Sequence, residues 1–127
     1  MSIELDHTIV SSRDRRAAAE RIATILGVSW SEKGVGPFCP VYVNAGLTID
    51  IDQTDGEFHL SHYCFRVDDA EFDARLRSFG IAYPSMPLGP VDMQINTAHG
   101  GSIVYWSEPH GHVWEALTVS DARSSAS

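Results

Sequence analysis

His7 and His62 stand at the same place in two copies of one sequence pattern, and Glu115 lies near the end of the second copy. The first copy reads Leu5-Asp6-His7-Thr8-Ile9-Val10, then two serines, then a helix-like run closing on Leu26-Gly27-Val28. The second reads Leu60-Ser61-His62-Tyr63-Cys64-Phe65-Arg66-Val67, then Asp68-Asp69, then a helix-like run closing on Phe79-Gly80-Ile81. A duplication that keeps a histidine in each half nominates the pair as metal ligands. Two neutral imidazoles and a carboxylate form a three-ligand face that leaves coordination positions open. A catalytic metal needs such positions to bind water or two neighbouring substrate oxygens. Taken singly, each histidine reads as a half-buried strand residue satisfied by hydrogen bonds, and Glu115 as an edge-strand surface residue. The duplication is what favours the set.

The elements that must position these residues follow from periodicity. Residues 4–10 alternate and carry Ile and Val, as a strand does. Ser11 and Ser12 suit the cap of a following helix over 13–26, where Ala18, Ile22, Ile25 and Leu26 fall at helical spacing and Gly27 suits the C-cap. Residues 29–38 read as a loop with an aromatic at each end, and Cys39 as a loop residue beside prolines. Strands over 40–44 and 46–52 are joined by Asn44-Ala45-Gly46, a hairpin signal. In the second copy a strand covers 60–67. Asp68 or Asp69 caps a helix with Phe72, Leu76 and Phe79 on one face, and strands follow near 91–96, 102–107 and 112–119. The tail 120–127 is polar and short, with the composition of a flexible end. Each half therefore reads β-α-β-β with room for one more strand, an α+β chain.

Alternation of side chains along a strand assigns faces. With His7 toward a cleft, Ile9 and Ser11 follow it, while Thr8 and Val10 face the helix. With His62 toward the cleft, Cys64 and Arg66 follow, while Tyr63, Phe65 and Val67 pack on the helix. Aligning the last strands of the two copies sets Asp50 opposite Glu115, so Asp50 (or Asp52) is a candidate fourth ligand or catalytic base beside Glu115; its bland alternative is a solvated strand carboxylate. Arg66 could hold an anionic substrate group or make a surface ion pair. Cys64 reads as a soft extra ligand or redox-sensitive thiol on the substrate side, or as a small core-facing residue. His99, before Gly100-Gly101, reads as a gate or general acid or a plain loop residue. His59, His110 and His112 lie in or near turns and are expected to be exposed. Trp30, Phe38, Tyr42, Tyr105 and Trp106 suit either the wall of an apolar pocket or ordinary packing.

Composition narrows the function classes. The 127 residues suffice for one domain or two small modules sharing a core. The formal net charge is −8, and the arginine group Arg13, Arg15, Arg16 and Arg21 alternates with Asp14 and Glu20. A solvated helix face fits that pattern, and a nucleic-acid partner does not. No apolar run approaches the ~18 residues of a membrane span. The N-terminus lacks the basic and apolar regions of a signal peptide, so a cytoplasmic location is expected. Two cysteines without CxxC spacing are expected to be reduced.

These motifs together resemble the vicinal oxygen chelate superfamily, which includes glyoxalase I, fosfomycin-resistance proteins, extradiol dioxygenases, methylmalonyl-CoA epimerase and bleomycin-resistance proteins. Leu5-Asp6-His7 resembles its first strand with a ligand histidine. His62-Tyr63-Cys64-Phe65-Arg66-Val67-Asp68-Asp69 resembles its second-module opening. Tyr105-Trp106-Ser107-Glu108-Pro109-His110-Gly111-His112-Val113-Trp114-Glu115 resembles its final hairpin, with Glu108 and His110 where two aspartates are common. The resemblance spans about residues 4–119. It implies one domain of paired βαβββ modules (about 4–56 and 57–119) curling a mixed sheet around a cleft, helices outside. It implies a divalent metal on His7, His62 and Glu115, with Zn, Mn, Fe, Ni and Co all compatible with mixed N/O donors.

The activity implied is Lewis-acid chemistry on a small substrate with vicinal oxygens, by a lyase, isomerase or oxygenase, with Cys64, Arg66, His99 and Tyr105 on the substrate side. The alternative within the resemblance is a metal-free drug- or natural-product-binding protein of the bleomycin-resistance type. A homodimer is also implied. Glyoxalase I keeps glutamate where Asp50 stands, extradiol enzymes usually carry two module pairs, and few basic residues are available for a phosphonate. None of these three subclasses is singled out.

Overall fold

The computed structural model describes residues 2–73, 95, 97, 100–107 and 111–119. The chain divides into two compact units, Met1–His59 and Leu60–Ser127.

The first unit runs β1 (His7–Ser12), α1 (Arg15–Leu26), β2 (Ser29–Trp30), β3 (Cys39–Asn44) and β4 (Leu47–Gln53). Its sheet has the order β1-β4-β3-β2, with β1 parallel to β4 and the other pairs antiparallel. The alternation expected from sequence is present. Val10 of β1, Val41 of β3, and Ile49 and Ile51 of β4 are buried, as are Ala19, Ile22 and Ile25 of α1, which packs on that face. His7, Ile9, Thr48 and Asp50 occupy the opposite face, each at least partly exposed.

Three local expectations are corrected here. The helix is capped by Asp14, whose side chain accepts from the Ala17 N–H at 3.1 Å, and not by Ser11 or Ser12. The reason is that β1 continues through Ser12, whose buried hydroxyl donates to the Asp52 carbonyl at 2.7 Å. The stretch read as a loop from residue 29 opens with β2, which pairs Ser29 with Tyr42 and Trp30 with Val41. That short strand is the extra one for which the β-α-β-β reading left room. Cys39 begins β3 and is buried against Ile51 rather than lying in a loop. Gly27 closes α1 as expected, at φ 71°, a left-handed conformation that costs glycine little.

Three arginines around the start of α1 have partners within this unit. Arg13 donates to the carbonyls of Thr54, at 2.8 Å, and Gly56, and lies over the Phe58 ring; Arg15 donates to the Pro37 carbonyl; Arg16 pairs with Glu32. They tie the N-terminal end of α1 to neighbouring loops.

In the second unit the described elements are β5 (His62–Arg66), a helical turn α2 (Asp69–Glu71), β6 (Ile103–Ser107) and β7 (Val113–Leu117). The described strands form a sheet of order β5-β7-β6, β5 parallel and β6 antiparallel to β7. Asp68 caps the turn, accepting from the Glu71 N–H at 2.8 Å, and Phe72 just beyond it is buried. One face of the sheet carries a row of rings across all three strands. Tyr63 stacks on Trp114 at 4.7 Å, and Trp114 on Trp106 at 6.4 Å, with Phe65 beside them. The rest of the predicted helix (Leu76, Phe79), most of the strand near 91–96, the turn residues Glu108 to His110, and the tail 120–127 lie outside the described residues.

Candidate functional site

The two units repeat one register. In the first, parallel β1 and β4 set Ile9 against Asp50; in the second, parallel β5 and β7 set Cys64 against Glu115. Each of these partners lies two residues beyond its histidine. Asp50 is therefore the counterpart of Glu115 in the strand pairing, as the alignment of the copies anticipates.

In the second unit the face away from the ring row holds His62, Cys64 and Arg66 of β5, Glu115 of β7 and Tyr105 of β6, which pairs directly with Glu115. His62 Nε2 lies 2.8 Å from Glu115 Oε1. Glu115 is only 4% exposed, and its second oxygen, Oε2, is buried with no hydrogen-bond partner among the described residues. A buried carboxylate oxygen left without a partner is costly, by roughly 1–3 kcal/mol or more for a charged group, so a cation beside it would stabilise it. The pair also fits a divalent ion by geometry. Two donors on adjacent corners of a coordination sphere, at bond lengths of about 2.0–2.2 Å, sit about 3 Å apart. Arg66 is exposed and has no ion-pair partner among the described residues.

Cys64 is exposed on this face, which corrects the core-facing reading: the core side of β5 is taken by Tyr63 and Phe65. His112, expected in an exposed turn, is instead buried. Its Nδ1 accepts the Ser61 N–H at 2.8 Å and its ring meets Tyr63 edge-on at 5.4 Å. The bulk of Tyr63 and Trp114 covers it, a contact between strands distant in sequence.

In the first unit His7 is exposed and its Nδ1 lies 2.7 Å from Asp6 Oδ2. The hydrogen bond to Asp6, helped by the charges of Asp6 and Asp50, raises the imidazole pKa above its usual 6.5. With Nδ1–H engaged by Asp6, the Nε2 lone pair is the one free to take a ligand. His7 and Asp50 share a pocket of about 490 Å³ with Asp6 and Thr48; its remaining wall is Ile9, Val35, Phe38, Pro40 and Tyr42 with Gly34. Phe38 and Tyr42 thus line a pocket. Trp106 lies in the ring row instead, and the buried Tyr105 packs with Ile103 and Leu117.

Of the residues singled out from sequence, the fold joins His62 to Glu115 and His7 to Asp50, one pair in each unit. Among the described residues no three His, Cys, Asp or Glu side chains form a ready cage for a metal ion. His99 and His110 lie outside the described residues. No described helix is long and apolar enough to cross a membrane.

No family model matches the chain, and no curated protein matches it. Solved structures do. The oxidase ChaP-H1 is 39% identical, over 96% of this chain and 100% of its own, with a TM-score of 0.81. The oxidase ChaP-H2 is 35% identical, over 96% and 98%, with a TM-score of 0.82. A glyoxalase/dioxygenase from Nostoc punctiforme shares the fold at 20% identity, over 93% and 92%, with a TM-score of 0.64. With the repeated register, the paired histidine and carboxylate positions, and relatives matched over their full length, this chain belongs to the vicinal oxygen chelate superfamily.

Proposed function

We propose that this protein is a metal-dependent oxidase of a small molecule bearing vicinal oxygens, with dioxygen as the electron acceptor. The observation that carries the metal part is the His62–Glu115 pair, whose buried Oε2 has no partner among the described residues. The oxidative part rests on the two most similar solved structures named above, both called oxidases. His62 and Glu115 supply two ligands, and His7 is the third, given by this chain or by a second copy. Zn, Mn, Fe, Ni and Co suit these donors, and an oxidase assigns the redox-active ones among them. When bound, such a metal supplies a Lewis acid for adjacent substrate oxygens and a route for electrons to dioxygen.

The remaining work falls to the protein. His7 lines the first unit's pocket, so a substrate whose oxygens reach His7 lays its apolar body against Ile9, Phe38 and Tyr42. Asp50, half-buried in the same pocket, is the general base that takes the proton of a substrate hydroxyl. Glu115, its Oε1 2.8 Å from His62 Nε2, holds the imidazole ring in place. Tyr105, beside Glu115, packs that carboxylate from β6. Arg66 and Cys64, exposed on the face of β5 that carries His62, are the substrate-side residues there, and Arg66 suits an anionic group. His99 serves as a gate or general acid. A homodimer is part of this reading.

A second reading, a binding protein that sequesters a drug or natural product, draws on the apolar wall of the pocket. Elemental analysis of protein purified without chelators, beside a His62→Ala variant, separates the two. The oxidase reading expects about one transition metal per chain, lost in the variant, and oxygen uptake with a panel of vicinal diols and ortho-dihydroxy aromatics. No metal in either protein after reconstitution would exclude it and leave the binding module.

A further inference from the structure

His112 does not belong to the proposed ligand set and does not face it, yet it is among the few buried polar side chains described. It closes a small backbone ring at the point where β5 and β7 begin to pair. The Ser61 N–H donates to His112 Nδ1 at 2.8 Å, and the Val113 N–H donates back to the Ser61 carbonyl at 3.0 Å. Both polar groups of the Ser61 backbone are thus held by two consecutive residues of the other strand, and the next residue along is His62.

Register is what this ring decides. His62 pairs with Val113, so that Glu115 falls two residues on, on the same face and within 2.8 Å of the imidazole. A slip of one residue would turn every β5 side chain to the opposite face and send His62 into the ring row. The ring row opposes such a slip as well, since it would carry Tyr63 and Phe65 off Trp114, and the His112 hydrogen bond adds a directed contact at the strand start. The imidazole does both: its edge packs on Tyr63 at 5.4 Å while its nitrogen accepts from the strand start. Accepting at Nδ1 also requires that this nitrogen carry no proton.

We infer that His112 is the positioning residue that locks the β5–β7 register and thereby aims His62 at Glu115. The inference rests on the metal reading of that pair, and it makes a prediction about the metal-free protein as well. His112→Phe keeps a ring in the cluster and removes the acceptor; His112→Asn restores an acceptor at the place of Nδ1 and removes the ring.

The experiment measures Ser61 amide hydrogen exchange and the His62 ring nitrogen shifts in the metal-free proteins, then cobalt(II) affinity by titration. His112→Phe is expected to lose Ser61 protection, to shift the His62 resonances, and to weaken cobalt binding up to about tenfold, the low end of the range for groups bonded directly to metal ligands. His112→Asn is expected to return all three toward wild type, which a purely packing role would not do. A folded His112→Phe with wild-type protection and affinity overturns the inference, as does His112→Asn behaving no better than His112→Phe. Should His112→Phe not fold, His112→Leu against His112→Asn makes the same comparison. If the wild type takes up no cobalt, the metal reading falls on its own. The exchange and shift data then decide the register lock alone, unchanged signals overturning it and displaced signals supporting it.

Discussion

At the scale of single residues, Glu115 carries the most information. Its strand is buried from end to end, so its carboxylate has left water, and one oxygen is answered by His62 while the other has no partner among the described residues. Glu115→Gln keeps the shape and removes the charge. It is expected to abolish metal uptake, read by elemental analysis, while leaving the fold intact by circular dichroism. His7 offers a pH test. Its pKa is raised above 6.5, chiefly by the hydrogen bond to Asp6. The proton is therefore held to higher pH than in a free imidazole. Any stabilisation from this contact is complete below the ordinary pKa and is lost as pH rises through the raised one. A metal on His7 must displace that proton, so affinity should rise with pH across the same interval. Asp6→Asn is expected to lower the His7 pKa, measured by NMR titration, and to move the acid limb of metal binding to lower pH. No change in the His7 titration would exclude Asp6 as the cause.

At the scale of elements, the two parallel pairs β1–β4 and β5–β7 are the units of construction. Each places a histidine at the start of its first strand and a carboxylate two residues beyond the opposing position. Their stability comes from different sources. The first unit rests on aliphatic packing under a capped helix, and Asp14→Ala should cost about 1 kcal/mol, the typical value of an N-cap, read from denaturant unfolding. The second rests on Trp114, which touches Tyr63, Phe65, Trp106 and His112. Trp114→Ala should cost about 3–5 kcal/mol, as large-to-small changes at buried aromatics do. A loss below about 1 kcal/mol would show that the ring row is not the core of that unit.

At the scale of the whole molecule, the proposed ligand set names residues of both units, and a metal held by it would couple binding to folding. A ligand that binds only the native state stabilises it by mass action, by about 2.7 kcal/mol at a hundredfold excess over Kd. Cobalt or manganese should therefore raise the thermal midpoint of the wild type and leave His7→Ala, His62→Ala and Glu115→Gln unmoved. If His7→Ala keeps the full metal shift while the other two lose it, the site is confined to the second unit and His7 leaves the ligand set.

The sequence alone determined the duplication, the two histidine positions, the alternation of faces along β1 and β5, and the family. These are properties of spacing, and spacing survives translation into strands because a strand has a period of two. It also paired Asp50 with Glu115 by alignment, and the strand register agrees. What spacing does not carry is the competition between neighbours in space. Ser12 looked like a cap, but its strand ran on and turned the hydroxyl inward, leaving the role to Asp14. Residues 29 and 30 looked like loop, but β3 offered them an edge to pair with. His112 looked like an exposed turn residue, and only the approach of Tyr63 and Ser61 from a distant strand buried it. Those outcomes depend on which backbone groups and rings meet, and that is decided only once the chain has folded.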